Sequence, residues 1–190
     1  GNISWGYNPA LHNAIDKYYG SANQLKRFID MCHQHDIAVI SDVVFNHAFG
    51  PNPMVNMYWD SQKSKPALDN PWFNPDAKHP YNVGYDFNHE SMSTKRYVNE
   101  VLRRLLEDFH FDGFRFDLSK GFTQKYSGTD LAAWSAYDAG RIAILNEYRD
   151  SIISRKANAY VILEHFADNA EEKELANKGF LIWGNMSHDY

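Results

Sequence analysis

The chain has 190 residues, 44% of them hydrophobic and 15% aromatic, which is enough for one sizeable core. A formal net charge of −5, with Lys and Arg scattered as on solvated faces, argues against a nucleic-acid partner. No stretch is apolar enough for long enough to span a membrane, and the single cysteine, Cys32, cannot form an internal disulfide and reads as a buried free thiol.

No signal sequence opens the chain; Gly1-Asn-Ile-Ser-Trp5 reads like the middle of a domain. Trp5 to Gly20 reads as a loop rich in aromatic and polar groups. Ser21 or Ala22 starts a predicted helix with Leu25, Phe28, Ile29 and Cys32 on one face, and His33-Gln-His-Asp36 ends it. Ile37 to Phe45, rich in Val and Ile, is a predicted buried strand. From Ala48 to about Glu90 comes a proline-rich stretch whose length inside a compact domain points to function. Thr94 to Phe109 is a predicted amphipathic helix burying Val98, Val101, Leu102, Leu105 and Leu106. Phe111 to Leu118 is the next strand. Thr129 to Ala157 carries one or two helices with Trp134, Ile142 and Leu145 inward. Tyr160 to Glu164 is a strand, Asn169 to Lys178 a short helix stopped by Gly179, and Phe180 to Trp183 a last strand. This alternation implies an α/β fold with parallel strands.

The chemistry gathers at the strand ends. Residues two apart in a strand face the same way, so Arg115 and Asp117 project together. Such a pair is costly in a core unless partnered and useful in an active site. The strand ending at Asn46-His47 and the one ending at Glu164-His165 carry polar groups at the same place, as a parallel barrel enzyme needs at its carboxyl face. Aromatic residues in loops, among them Trp5, Tyr7, Tyr58, Trp59, Trp72, Phe73 and Tyr81, would suit stacking on sugar rings.

Three segments carry a family resemblance. Asp42-Val-Val-Phe-Asn46-His47, Gly113-Phe-Arg115-Phe-Asp117-Leu-Ser-Lys120 and Ile162-Leu-Glu164-His165 resemble, in order, three signatures of the α-amylase family, glycoside hydrolase family 13. Trp5-Gly-Tyr7-Asn-Pro9 before them is most similar to the bacterial α-amylase and pullulanase-like branch. The resemblance covers essentially the whole chain. It implies part of a TIM (β/α)8 barrel, about strands 3 to 6, with residues 48–90 as a small irregular insertion after the third strand, similar to that family's domain B.

The resemblance also implies a reaction: cleavage of α-1,4-glucosidic bonds in starch- or glycogen-type glucans, with retention. Pullulanase, branching and transglycosylating members share the signatures, and a non-catalytic carbohydrate-binding relative is the alternative outside catalysis. Retaining glycosidases hold two carboxyl groups roughly 5–5.5 Å apart, one attacking the anomeric carbon and one protonating the leaving oxygen. Asp117 matches the nucleophile and Glu164 the general acid/base. Arg115 would keep the nucleophile ionised and oriented, with Asp42 as its structural partner. His47 resembles a histidine that hydrogen-bonds sugar hydroxyls, Tyr7 the aromatic platform under the same sugar, and Lys120 a sugar contact in the next subsite. A metallohydrolase reading of Asp42, His47, Asp117 and Glu164 is disfavoured by the cation of Arg115.

Asn46 resembles a structural calcium ligand, with Asp86 as a second candidate; no organic cofactor is implied. In many relatives a histidine after the lysine lends its carbonyl to that calcium, and here Gly121 stands there. The expected partner is an α-glucan polysaccharide or oligosaccharide, and export to the periplasm, cell surface or medium is what such a substrate suggests for a bacterial parent. The family's fourth signature contains a His-Asp pair. His188-Asp189 is similar, but only one short helix and one strand separate it from Glu164, so the third catalytic Asp is expected beyond residue 190. About four of eight strands are accounted for, and the chain reads as a central fragment that would be unstable by itself.

Overall fold

A computed structural model describes residues 4–81 and 83–184. Helix α1 (Ala22–His33) begins where the sequence predicts: Ser21 and Gln24 cap each other, side chain to backbone, in a capping box. Strand β1 (Ile40–Val43) follows, then β2 (His47–Ala48), the short helix α2 (Pro53–Met57), β3 (Trp59–Asp60), β4 (Lys65–Pro66) and β5 (Tyr85–Asp86). Next come α3 (Met92–Glu107), β6 (Gly113–Phe116), α4 (Leu131–Ser135), α5 (Ala139–Arg155), β7 (Tyr160–Leu163), α6 (Asn169–Asn177) and β8 (Leu181–Ile182).

The central sheet has four strands in the order β1-β6-β7-β8, all parallel. It is an open segment of a β/α barrel among the described residues. Register pairs Asp42 with Arg115 and Arg115 with Ile162 across the sheet. Backbone bonds continue one residue further: Asp117 N–H donates to Val43 O at 2.9 Å and Glu164 N–H to Phe116 O at 3.0 Å. The carboxyl ends of three adjacent strands are thereby level. Gly113 permits a close approach of β6 and β7, since a Cβ there would overlap the backbone of Tyr160.

The helices cover the sheet as the apolar periodicity predicts. Val98, Val101, Leu102 and Leu106 of α3 and Ile142, Leu145, Tyr148 and Ile152 of α5 pack on Phe114, Phe116, Val161 and Leu163. The predicted segment Thr129 to Ala157 is two helices, because Ala136 is extended and Asp138 starts a new cap for α5. Gly179, at φ 92, stops the last helical turn in the left-handed region that glycine tolerates. No helix among the described residues is long and apolar enough to cross a membrane.

Three expectations need correction. Strands are shorter than predicted, Ile40–Val43 and Gly113–Phe116; β1 has a partner on one side only, and its four paired residues match the four of β6. Phe28 is 56% exposed and Cys32 half-buried, so neither is core. Helix α1 meets the rest through a small cluster of Ile29 with Phe109 and Phe111, against which its Ala22 and Leu25 also pack, together with Ile15, Val39 and Leu105. Finally, most of the loop aromatics between residues 58 and 73 build the insertion: Phe73 is buried with Ala48, Val55 and Phe87, and Trp59 and Trp72 lean on that cluster.

Two antiparallel pairs, β2 with β5 and β3 with β4, give the insertion its frame. It is tied to the barrel by the buried His89, whose Nε2 donates to Phe45 O at 2.8 Å while Nδ1 meets Tyr148 Oη at 2.9 Å. Burial pushes this imidazole down to about 3, so it remains neutral.

Candidate active site

The level strand ends bring one arginine among three carboxylates. Arg115 Nη1 donates to Asp42 Oδ1 at 2.9 Å and to Asp117 Oδ1 at 2.8 Å, and its Nη2 lies 3.2 Å from Glu164 Oε2. Its side chain is 10% exposed, and the guanidinium lies 4.4 Å from the ring centroid of Trp183. One cation thus fixes the positions of Asp117 and Glu164 relative to each other. The expected Asp42–Arg115 partnership is present.

Burial raises Asp117 from 3.8 to about 6; the bond from Arg115 opposes that rise, and the charge of Glu164 adds to it. The expectation that Arg115 keeps this carboxyl ionised is met only in part: its bond favours the charged form, but desolvation is the larger effect. The sign has two consequences. A carboxyl whose folded pKa lies above its unfolded value contributes stability at low pH that is lost as pH rises from about 4 to about 6. In the nucleophile role that the resemblance implies, Asp117 must be ionised, and kcat/KM of the full-length enzyme is then expected to fall tenfold per pH unit below about 6, as a pH–rate profile would show.

The backbone around the carboxylates is strained where it serves them. Leu118 is left-handed, at φ 45, without being glycine, and this turn aims its N–H at Glu164 Oε2, 2.9 Å away. Phe166, at φ 52, makes a second such turn just after Glu164. Its carbonyl accepts from Lys120 Nζ at 2.9 Å.

The remaining predicted residues are placed as follows. Tyr7 is 38% exposed, donates to Asp42 Oδ2 at 2.8 Å, and its ring centroid lies 5.9 Å from the Arg115 guanidinium. The bond to Asp42 raises its pKa. His47 is buried behind it, with Nε2 2.9 Å from Tyr7 O and Nδ1 3.0 Å from Asn46 Nδ2, and burial lowers its pKa. Lys120 is also buried: Nζ reaches Ser135 Oγ at 3.1 Å as well as Phe166 O, and sits 4.0 Å above the ring of Trp134. Burial lowers its pKa too. Asp86 is buried, where a loop position suggests a solvated residue. His188-Asp189 lies outside the described residues. A cleft of about 640 Å³ opens beside the insertion, lined by Asn74, His79, Tyr85, Asp86 and Tyr126, and its lining does not include Asp42, Asp117 or Glu164.

Sequence reasoning missed a buried chain behind Glu164. Ser119 Oγ lies 2.9 Å from both Glu164 O and His165 Nδ1. His165 Nε2 meets Glu171 Oε1 at 2.8 Å, and Arg141 holds Glu171 through Nε at 2.6 Å and Nη2 at 2.7 Å. Burial pushes Glu171 up, but the bonds from His165 and Arg141 outweigh it and hold the carboxyl at about 2. The available signal was Glu171 itself, in the first turn of a helix right after a catalytic-type strand end.

The calcium implied by the resemblance does not fit the oxygen assigned to it. Asn46 Oδ1 lies 3.0 Å from His79 Nε2, so an imidazole already engages it. No group of three or more His, Cys, Asp or Glu side chains that could hold a metal is found among the described residues.

Parallel strands alternating with helices, and a carboxylate pair held on one guanidinium at their carboxyl ends, define part of a barrel of the glycosidase type. The alpha-amylase catalytic-domain family matches residues 2–85. Over 165 residues the chain is 30% identical to a 1,4-alpha-glucan-branching enzyme of Yarrowia lipolytica, covering 85% of the chain and 22% of that protein. Over 122 residues it is 32% identical to a malto-oligosyltrehalose trehalohydrolase of Mycobacterium tuberculosis, covering 62% and 18%. The fold is that of Eubacterium rectale Amy13B, with a TM-score of 0.70 at 22% identity over 92% of the chain and 36% of that structure. The chain belongs to the α-amylase family and corresponds to part of its catalytic domain. It spans about a fifth of the length of these two relatives, 22% and 18%.

Proposed function

We propose that the protein is a retaining glycosidase of α-1,4-linked glucans, with Asp117 as nucleophile and Glu164 as general acid/base. The observation that carries this is Arg115, which bonds Asp117 and pairs with Glu164 at neighbouring strand ends. Asp117, ionised above about 6, attacks the anomeric carbon while Glu164 protonates the departing glycosidic oxygen. Water then hydrolyses the glycosyl-enzyme, with Glu164 taking its proton. In this reading Arg115 and the Leu118 N–H restrain the two carboxyl groups before substrate arrives.

Tyr7 serves in this reading as the sugar platform, its exposed ring already anchored through Asp42. His47 contacts a sugar hydroxyl by exchanging its present bond to Tyr7 O, whereas Lys120 has a third ammonium proton beyond those given to Ser135 Oγ and Phe166 O. Residues 48–90 act as the family's domain B.

The likeness to a branching enzyme supports a second reading, in which a sugar hydroxyl replaces water as acceptor. One experiment separates them. The full-length enzyme is incubated with starch, glycogen and pullulan, and the first product is followed by NMR. Free α-anomeric maltooligosaccharides are expected. New branch points without released reducing ends would move the reaction to transfer, and β-anomeric first products would overturn retention.

A further inference from the structure

We propose that His79 stands where the resemblance places a divalent cation, so that this protein clamps its insertion to the barrel without a metal. Three buried residues meet there: Asn46, at the end of the strand segment that opens the site, and His79 and Asp86 from the insertion. His79 Nε2 lies 3.0 Å from Asn46 Oδ1 and 3.4 Å from Asp86 Oδ1. Both oxygens face one ring nitrogen. A hard cation joining them needs oxygens at about 2.3–2.6 Å, and the ring edge occupies that place.

The surroundings hold the ring there. It stacks on Trp134 at 5.0 Å with an interplanar angle of 10°. Trp134 in turn donates from Nε1 to Lys120 O at 3.2 Å, so the stack is anchored to the segment that carries Asp117. The other oxygen of Asp86 is engaged by Asn74 Nδ2 at 2.7 Å and Lys78 N at 3.3 Å, while Oδ1, 3.4 Å from the imidazole, makes no hydrogen bond among the described residues, so the Nε2 proton goes to Asn46. His79 Nδ1 is buried without a partner among the described residues, so the ring contributes through Nε2.

Gly121 completes the argument. A Cβ there would overlap Asn46 Oδ1 and lie 2.9 Å from His79 Nε2. The glycine that departs from the family pattern and the histidine that takes the cation's place are therefore one packing solution: the ring fits because residue 121 has no side chain.

The test reads the calcium-dependent rise in Tm of the metal-stripped full-length enzyme. Wild type and Asn46→Ala are expected to show the same rise, zero included, because no cation sits on Asn46. A rise in wild type that Asn46→Ala abolishes would overturn the proposal, since binding to the native state alone raises stability. His79→Ala is expected to lower Tm by several degrees with calcium or with chelator; an unchanged Tm would equally overturn it. A crystal grown in calcium decides without any variant. His79 between Asn46 and Asp86 supports the clamp, and an ion in that place overturns it.

Discussion

Asp117→Gly in the full-length enzyme is expected to lose turnover on the order of 10⁴- to 10⁶-fold, the scale on which removing a covalent nucleophile acts, and to regain part of it in azide with an activated aryl α-glucoside. The product distinguishes the two carboxylates. Azide entering the vacated place of Asp117 forms a bond to the anomeric carbon from the opposite face as the aryl–oxygen group departs, giving a β-glycosyl azide. In Glu164→Ala the aglycone needs no proton, the glycosyl-enzyme on Asp117 still forms, and azide displaces it with a second inversion. The product there is an α-glycosyl azide. The contrast follows from two carboxyl groups with different duties, and the reverse pattern of anomers would exchange the roles assigned to them. Recovery of an α-azide by both variants would remove Asp117 from the reaction altogether. Folding is not expected to confuse the result. Asp117 sits at a site that opposes its ionisation, so removing the carboxyl relieves a buried charge near neutral pH.

Much of this arrangement was legible in the sequence, and the reason is local. Arg115 and Asp117 lie two apart on one strand, so their common face follows from the pleat alone. Apolar spacing in the third helical segment was equally direct, and Val98, Val101, Leu102 and Leu106 are all buried. What stayed hidden depends on partners distant in sequence. That Arg115 also reaches Glu164 requires the register of three strands. The burial of Asp117, which moves its pKa more than the arginine does, belongs to the packed strand end and not to any motif. Residues 58–73 misled for the same reason: loop aromatics read as a sugar surface, whereas Phe73 stacks on Phe87 at 4.3 Å inside the insertion. His79 carried no signal at all, because its meaning comes from Asn46 and Gly121, 33 and 42 positions away.

Arg141→Met tests how the backbone of Glu164 is supported. Arg141 and Glu171 are 1% and 0% exposed, and the arginine also donates to Lys120 O at 3.2 Å, Trp134 O at 3.1 Å and Ala136 O at 3.1 Å. Removing one partner of such a pair leaves an uncompensated buried charge, and the expected loss is about 3–5 kcal/mol. Thermal or denaturant unfolding of the full-length enzyme would show it, and a loss near that of a surface substitution, within about 0.5 kcal/mol, would refute it. The pH dependence has a definite sign. The folded pKa of Glu171 is about 2, below its usual 4.5, so the stability it contributes is present above that value and is lost as pH falls toward 2. Replacing both partners, Arg141→Met with Glu171→Leu, is expected to restore most of the stability, since a well-packed apolar pair often matches a buried ion pair. Activity should not follow. His165 Nε2 lies 2.8 Å from Glu171 Oε1, and Ser119 Oγ lies 2.9 Å from both His165 Nδ1 and the Glu164 carbonyl, so one line of contacts joins Glu171 to the backbone of Glu164. A double variant that is stable yet has lost kcat, with KM little changed, would show that the charged chain serves the geometry of Glu164 and not only the fold; recovery of both would assign it to the fold alone.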